Sequence, residues 1–201
     1  MSRSALDALD HLILAAASLD EGVAFVRERF GVSPKLGMRN PAAGTDHARV
    51  ALGPRRYLEI LAPAPGNELS PTLEPIRRLA APSLYSWAIA TDAGPGPRAD
   101  WLGDARSDVP GGSFVRWRNL AVTIALGAAA PAFIHWSDGA PHPADDAPPA
   151  GRVIALRLAH PDPAAAAAAL AKAGFTAELA RADAPSFSVE IETRAGATIT
   201  L

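Results

Sequence analysis

Hydrophobic positions along the chain fall into short runs separated by glycine, proline and charged residues. Residues 9–63 begin with an apolar run typical of a strand, continue with apolar residues at helical spacing, and end with three short extended runs. Ser18, with Glu21 three residues later, predicts the start of the helix, and Gly31 predicts its end. The predicted order is therefore strand–helix–strand–strand–strand, or βαβββ.

The same order is predicted twice more, in weaker form. Residues 84–137 are expected to give a strand, a short helix over 97–105 and three more strands, one of them over 120–127. Residues 153–201 are expected to give a strand, an alanine-rich helix and three short strands. Three copies of one supersecondary unit are the resulting prediction.

These units divide the chain into five predicted segments. They are a first βαβββ module over 1–63, a connecting segment with a helix over 64–83, a second βαβββ-like module over 84–137, a Pro-rich linker over 138–152 and a third, shorter module over 153–201. The linker contains His142, and its Pro- and Asp-rich composition predicts an exposed segment without regular structure.

Three predicted strands each carry polar side chains inside an apolar run. "ALDHLILAAAS" places Asp10 and His11 near its start, "RYLEILAP" contains Glu59, and "AFIHWSD" contains His135. Side chains alternate between the two faces of a strand, so each polar group shares its face with apolar neighbours, as in the lining of a cavity. Two histidines and one carboxylate also form the ligand set of metal sites that keep open positions. Taken singly, each residue is explained as well by hydrogen bonding inside the core.

Composition and charge exclude several classes of protein. The 201 residues carry a net charge of −2 and contain no cysteine, which excludes thiol nucleophiles and disulfides. Basic residues are scattered, so no nucleic-acid partner is expected. The N-terminus lacks a signal-peptide pattern and the longest alanine run is short, so a cytoplasmic protein without a membrane partner is expected.

The motifs resemble a known family. "LDHLILAAASLDEGVAFVRERFGV", then Gly44-Thr45 and "RYLEILAP", is similar to glyoxalase-like domain proteins of the vicinal oxygen chelate (glyoxalase/bleomycin resistance/extradiol dioxygenase) superfamily. "FIHW" and the terminal "GATITL" extend the resemblance over nearly the whole chain. The resemblance implies an α+β protein of repeated βαβββ modules, whose curved mixed sheets form a cleft with the helices outside. The abundance of Ala, Pro and Arg in the composition indicates a bacterial source.

The resemblance also implies a site and two alternative functions. His11, Glu59 and His135 would hold a divalent metal (Mn, Ni, Fe or Zn), and Glu59 would double as the catalytic base. The function is then a metal-dependent lyase, isomerase or dioxygenase acting on a small vicinal-oxygen substrate. The alternative is a metal-free protein of the bleomycin-resistance type that binds or sequesters a small molecule.

The remaining expectations concern the ligand and the partner. The predicted substrate-binding residues are His47, Arg49, Tyr57 and Trp87, and the arginines at 49, 116 and 118 suit an anionic substrate. Pairing of modules one and two is preferred over pairing of modules one and three, because "FIHW" matches "YLEI" more closely. This pairing would place Glu59 and His135 on equivalent walls of one cavity. A homodimer is expected, because three modules leave one without an internal partner.

Overall fold

The computed structural model describes residues 2–37, 39–41, 43–66, 71–92, 94, 99–106 and 113–201, with the backbone alone for Thr72 and residues 99–106. The strands are β1 (Arg3–Ser4), β2 (Leu9–Ala15), β3 (Lys35–Leu36), β4 (Thr45–Ala51), β5 (Tyr57–Pro63), β6 (Ser83–Ala90), β7 (Ala99–Arg106), β8 (Ser113–Asn119), β9 (Ala132–Trp136), β10 (Gly151–His160), β11 (Phe175–Thr176), β12 (Glu178–Arg181), β13 (Ser186–Thr193) and β14 (Thr198–Thr200). The helices are α1 (Leu19–Phe30), α2 (Glu74–Arg77), α3 (Leu120–Leu126) and α4 (Pro163–Lys172), with 3-10 turns at Pro71–Leu73, Gly127–Ala129 and Pro143–Asp145.

The largest sheet has eight strands in the order β3-β4-β5-β2-β6-β9-β8-β7. It consists of two halves of four strands, in each of which the first strand lies parallel to the fourth. The halves meet through the antiparallel pair β2–β6. The first and second modules therefore pair inside one chain, as preferred from the sequence. The α+β fold of mixed sheets is confirmed.

The last segment forms a separate sheet in the order β12-β10-β13-β14. Its helix is followed by four strands where three are predicted, because the first predicted strand is divided into β11, which pairs with β1, and β12. Its strand order also differs from that of the two halves, so it is not a third copy of their topology. Its apolar residues join one large core with those of the eight-stranded sheet; for example, Phe187 lies 6.1 Å from Trp87 between ring centroids. No helix among the described residues is long and apolar enough to cross a membrane. The expected homodimer stays a prediction.

The first helix forms as the sequence predicts. The Ser18 hydroxyl accepts a hydrogen bond from the Glu21 amide, and Gly31 ends the helix in the left-handed conformation at φ 67°. Gly22 faces β5, and a Cβ atom at that position would overlap Ile60 Cγ2. Glycine at this position therefore allows α1 to pack closely behind the strand that carries Glu59.

Two predictions in the second module are wrong. Residues 99–106 form strand β7 and not a helix, because they pair along β8 in antiparallel register, and this tertiary pairing overrides local preference. Residues 120–126 form helix α3 and not a strand. The Asn119 side chain accepts from the Val122 amide and so caps a helix directly after β8.

The packing of α1 can be tested by substituting Gly22. Alanine favours the helix by about 1 kcal/mol over glycine, but overpacking against Ile60 costs about 1–3 kcal/mol. We expect Gly22→Ala to lower the free energy of unfolding by up to about 2 kcal/mol in urea titrations, the net of these two effects. The control is Glu28→Ala on the exposed side of the same helix, which should change stability by less than about 0.5 kcal/mol. A Gly22→Ala protein more stable than the wild type would contradict the close packing.

Candidate functional site

The register of the first half-sheet places the predicted polar residues on one face. His11 on β2 lies beside Tyr57 on β5, and Glu59 lies beside Arg49 on β4. Cross-strand neighbours share a face, and so do residues two apart in one strand. This face, which carries Glu59, is called the front face; the opposite, back face packs against α1 and the last sheet.

A β-bulge at Asp10 interrupts the pairing of β2 with β6. Leu9 pairs with Ile89 and His11 pairs with the next residue, Ala88, so Asp10 is the extra residue on β2. A bulge turns the extra side chain out of the regular alternation. The Asp10 carboxylate consequently lies with the His11 ring and not in the core behind the sheet.

The Asp10 carboxylate is buried and accepts three hydrogen bonds. The donors are His11 Nδ1 at 2.7 Å, Trp136 Nε1 at 2.8 Å and His142 Nε2 at 3.2 Å. His142 Nδ1 accepts from the Ala144 amide, so the proton of a neutral His142 ring is on Nε2 and is donated to Asp10. Burial alone raises the pKa of Asp10, but the hydrogen bonds and charges of the two histidines outweigh it and hold the pKa well below its usual range.

His142 belongs to a segment, residues 138–150, that covers part of the front face and is called the covering segment. His142 is fully buried, and its ring lies edge-on to Tyr57. Asp146 forms ion pairs with Arg49 at 2.8 Å and Lys35 at 2.7 Å. The expectation of an exposed linker without regular structure is wrong, because the buried contact of His142 with Asp10, the ion pairs of Asp146 and a capped 3-10 turn hold this segment against the sheet.

Glu59 remains partly exposed beside the covered region. Its Oε1 lies 2.6 Å from His47 Nδ1, and His47 Nε2 lies 2.7 Å from the Thr45 hydroxyl. The side chains of Glu59 and His47 are 20% and 17% exposed, so solvent reaches this pair, whereas Thr45 is buried. A hydroxyl, an imidazole and a carboxylate are thus connected in one chain of hydrogen bonds.

The charges around Glu59 keep it ionised. Burial raises the pKa of Glu59, but the hydrogen bond from His47 and the charges of His47, His11 and Arg116 lower it to about 2. Because an ionised carboxylate only accepts hydrogen bonds, His47 Nδ1 carries the proton that it shares with Glu59.

Arg116 comes to this site from the other half of the sheet. It pairs with Ile134, which belongs to the apolar cluster on the front face, so Arg116 faces the same side as Glu59. Its Nε atom is buried and has no hydrogen-bond partner among the described residues. A buried guanidinium donor without a partner is costly in an isolated protein, and an oxygen of a ligand would satisfy it. The charge of Arg116 reaches Glu59, and the part of the front face between these two residues is called the front cleft.

The structure separates His135 from the other predicted metal ligands. His135 pairs with Val115, which packs in the core behind the sheet, and its Nδ1 donates to the Thr91 carbonyl at 2.9 Å. Its neighbour Ile134 occupies the front-face position instead. The predicted convergence of His135 with His11 and Glu59 is therefore wrong, because a difference of one residue along a strand reverses the face.

The remaining residues do not fit a metal held by three side chains. His11 donates Nδ1–H to Asp10, the arrangement usual for a metal-ligating histidine, and Glu59 lies on the same face. Within the described ranges, however, no three His, Cys, Asp or Glu side chains lie close enough to hold an ion. Of the three predicted ligands only His11 and Glu59 lie on the front face, fewer than the three that protein sites for these metals supply.

The predicted substrate-binding residues have different positions. His47 lies in the front cleft. Tyr57 is stacked on His11 at 4.9 Å beneath the covering segment, and Arg49 is engaged by Asp146. Trp87 is fully buried in the core and donates Nε1–H to the Ala129 carbonyl, so its assignment to the substrate is wrong.

Sequence reasoning overlooked the roles of His142, Asp146 and Thr45. One local signal was present: His142 is followed by Pro143 and then Asp145, the pattern of a capped turn, and its capping contacts are formed. The pairing of His142 with Asp10 spans 132 residues, and no local pattern predicts it.

The lowered pKa of Glu59 predicts an acid-dependent loss of stability. Its pKa falls from 4.5 to about 2 on folding, so its stabilising contribution is complete above about pH 4.5 and is lost as the pH falls towards 2. We expect Glu59→Gln to be less stable than the wild type at pH 7, with the difference shrinking between pH 4.5 and pH 2 in urea titrations. An equal stability difference at every pH would contradict the ionised pair.

Comparisons with known proteins agree with this architecture. The family model described as "Glyoxalase-like domain" matches residues 9–174. A search of curated proteins finds no match.

Solved structures resemble the chain at low identity. Methylmalonyl-CoA epimerase from Streptomyces coelicolor is 15% identical over 67% of this chain and 97% of its own, with a TM-score of 0.46. The epimerase from Mycobacterium tuberculosis is 15% identical over 68% of this chain and 91% of its own, with a TM-score of 0.46. A mutant of 4-hydroxymandelate synthase from Streptomyces coelicolor is 16% identical over 100% of this chain and 63% of its own, with a TM-score of 0.48.

At these identities the solved structures carry no argument about substrate or reaction. The family match spans most of the 201 residues, including both halves of the eight-stranded sheet. The chain therefore belongs to the Glyoxalase-like domain family of the vicinal oxygen chelate superfamily.

Proposed function

We propose that the front cleft binds a small hydroxy acid, whose carboxylate pairs with Arg116 and whose hydroxyl donates to Glu59. The observation that carries this proposal is the Nε of Arg116, which is buried without a hydrogen-bond partner among the described residues, on the same face as an ionised Glu59. This is the metal-free binding alternative, and it needs no ion because the protein supplies both charges.

Glu59 supports the hydroxyl half of the proposal. Its hydrogen bond to His47 uses Oε1 and leaves Oε2 for a ligand. A carboxylate with a pKa of about 2 is ionised at neutral pH. It therefore accepts a short, charge-assisted hydrogen bond from a hydroxyl group.

Arg116 supports the carboxylate half. Its guanidinium is planar and presents several donors in fixed directions, which match the two oxygens of a carboxylate. A ligand with neighbouring carboxylate and hydroxyl oxygens would contact both halves of the sheet at once. Vicinal oxygens of this kind are the substrate feature implied by the family resemblance.

A second candidate function, isomerisation by proton transfer, is favoured by the chain of hydrogen bonds from Thr45 through His47 to Glu59. At rest, Glu59 is a weak base, because its pKa is lowered to about 2. A bound anion adds negative charge and excludes water, and both effects raise the pKa of a carboxylate. Glu59 would then accept a proton from the ligand, while His47 holds the carboxylate in place.

Binding can be tested by substituting Arg116. We expect wild-type protein to bind glycolate, lactate or malate saturably in calorimetry, and Arg116→Gln to bind about tenfold more weakly or worse, because a hydrogen-bonded charge is lost. Arg118→Gln, on the exposed part of the same strand, is the matched control and should bind as the wild type does. EDTA should leave the affinity unchanged. Equal affinities for both variants would contradict the role of Arg116.

Proton transfer can be tested by deuterium exchange. We expect wild-type protein in D2O to exchange the C3 protons of hydroxypyruvate faster than buffer does, as followed by proton NMR. Glu59→Gln should slow this exchange by about a hundredfold, since positioned bases contribute on this scale. Binding without any exchange would reject the isomerase and leave the binding protein.

A further inference from the structure

A cavity of about 450 Å³ opens at the seam between the two halves of the sheet, beside the start of β2 and the end of β6. Its floor includes Ala8, Leu9 and Ala90, and it is called the seam cavity. We propose that the seam cavity binds a small zwitterion, with its anionic group held by Arg3 and Arg55 and its ammonium group by His135 and Asp138.

One wall of the seam cavity is crowded with positive charge. Arg3 and Arg56 both donate to the Asp7 carbonyl oxygen, at 3.3 Å and 3.0 Å, and Arg56 also donates to the Leu9 carbonyl. Burial lowers the pKa of Arg56, and the nearby charge of Arg3 lowers it further, although Asp7 opposes both effects. The guanidinium groups of Arg3 and Arg56 lie close together at a neutral carbonyl and repel each other. An anion bound beside them would offset that repulsion.

Arg55 belongs to the same wall and has an unfavourable backbone conformation. Its φ is +49°, in the left-handed region that glycine and asparagine adopt more readily. Arg55 lies in the turn between β4 and β5, where Leu52 N–H donates to the Arg56 carbonyl. A charged side chain in a turn position suited to glycine points to a role of the side chain itself.

The opposite wall offers acceptors. His135 Nδ1 donates to the Thr91 carbonyl, so Nδ1 carries the proton of a neutral ring and Nε2 is an acceptor. Asp92 and Asp138 lie on the same wall and are exposed. An ammonium group donates three hydrogen bonds and suits an imidazole nitrogen beside carboxylates.

The combination of the two walls favours a zwitterion over a simple ion. A free anion would be attracted by the three arginines that line the cavity and repelled by its carboxylates, those of Asp7, Asp92 and Asp138, and a free cation would be attracted and repelled by the opposite groups. A molecule with both charges satisfies both walls. The front cleft and the seam cavity share none of the residues that carry the two proposals, so this inference is independent of the proposed function.

The test is a titration with glycine, β-alanine, 4-aminobutyrate and 5-aminovalerate, which differ in the separation of their charges. Butyrate and butylamine are the single-charge analogues. Binding is followed by NMR of the histidine ring nitrogens. We expect one member of the series to bind at least about tenfold more tightly than either analogue, since each lost charge-assisted hydrogen bond costs about that factor. The His135 Nε2 resonance should shift on binding.

Arg55→Asn separates binding from folding. Asparagine tolerates the left-handed backbone but carries no charge, so the melting temperature should be unchanged or higher while the affinity falls. Asp138→Asn should also weaken binding. Arg27→Gln on the exposed side of α1 should bind the zwitterion as the wild type does. No His135 shift with any member, equal binding of butyrate, or undiminished binding by Arg55→Asn would overturn the inference.

Discussion

The arrangement of the front face depends on one buried charge. Asp10 sits at a bulge, so its carboxylate is directed into a region that the covering segment closes from solvent. A buried carboxylate is tolerated only when hydrogen bonds replace its water, and His11, Trp136 and His142 supply them. Because these donors come from β2, β9 and the covering segment, satisfying one carboxylate fixes three parts of the chain relative to one another.

This constraint divides the polar residues of the front face into two groups. The polar groups that contact Asp10 are hydrogen-bonded and buried, which is typical of a structural network. Around Glu59 the carboxylate is ionised and partly exposed, and Arg116 approaches with a buried donor that no described residue satisfies. A ligand is therefore expected at Glu59 and not at His11, although both lie on the same face.

Local patterns predicted the parts of the fold that local interactions decide. The capped helix from Ser18 to Gly31 follows from spacing alone and is confirmed. The placing of His11 and Glu59 together came from the family resemblance, and the strand register puts both on the front face. The place of His135 depends on strand register, and a motif alignment in error by one residue put it on the wrong face. The burial of His142 depends on a partner 132 positions away, and its Pro-rich surroundings indicated the opposite.

The most direct test of this account is hydrogen exchange, followed by mass spectrometry, of Asp10→Asn against the wild type. The amides of Ala144, Asp145 and Ala150 make hydrogen bonds within or beneath the covering segment and report on its closure. The account predicts faster exchange in residues 138–150, with β10 and β13 unchanged. Unchanged protection of the covering segment in a folded Asp10→Asn protein would contradict the claim that this carboxylate holds the front face together.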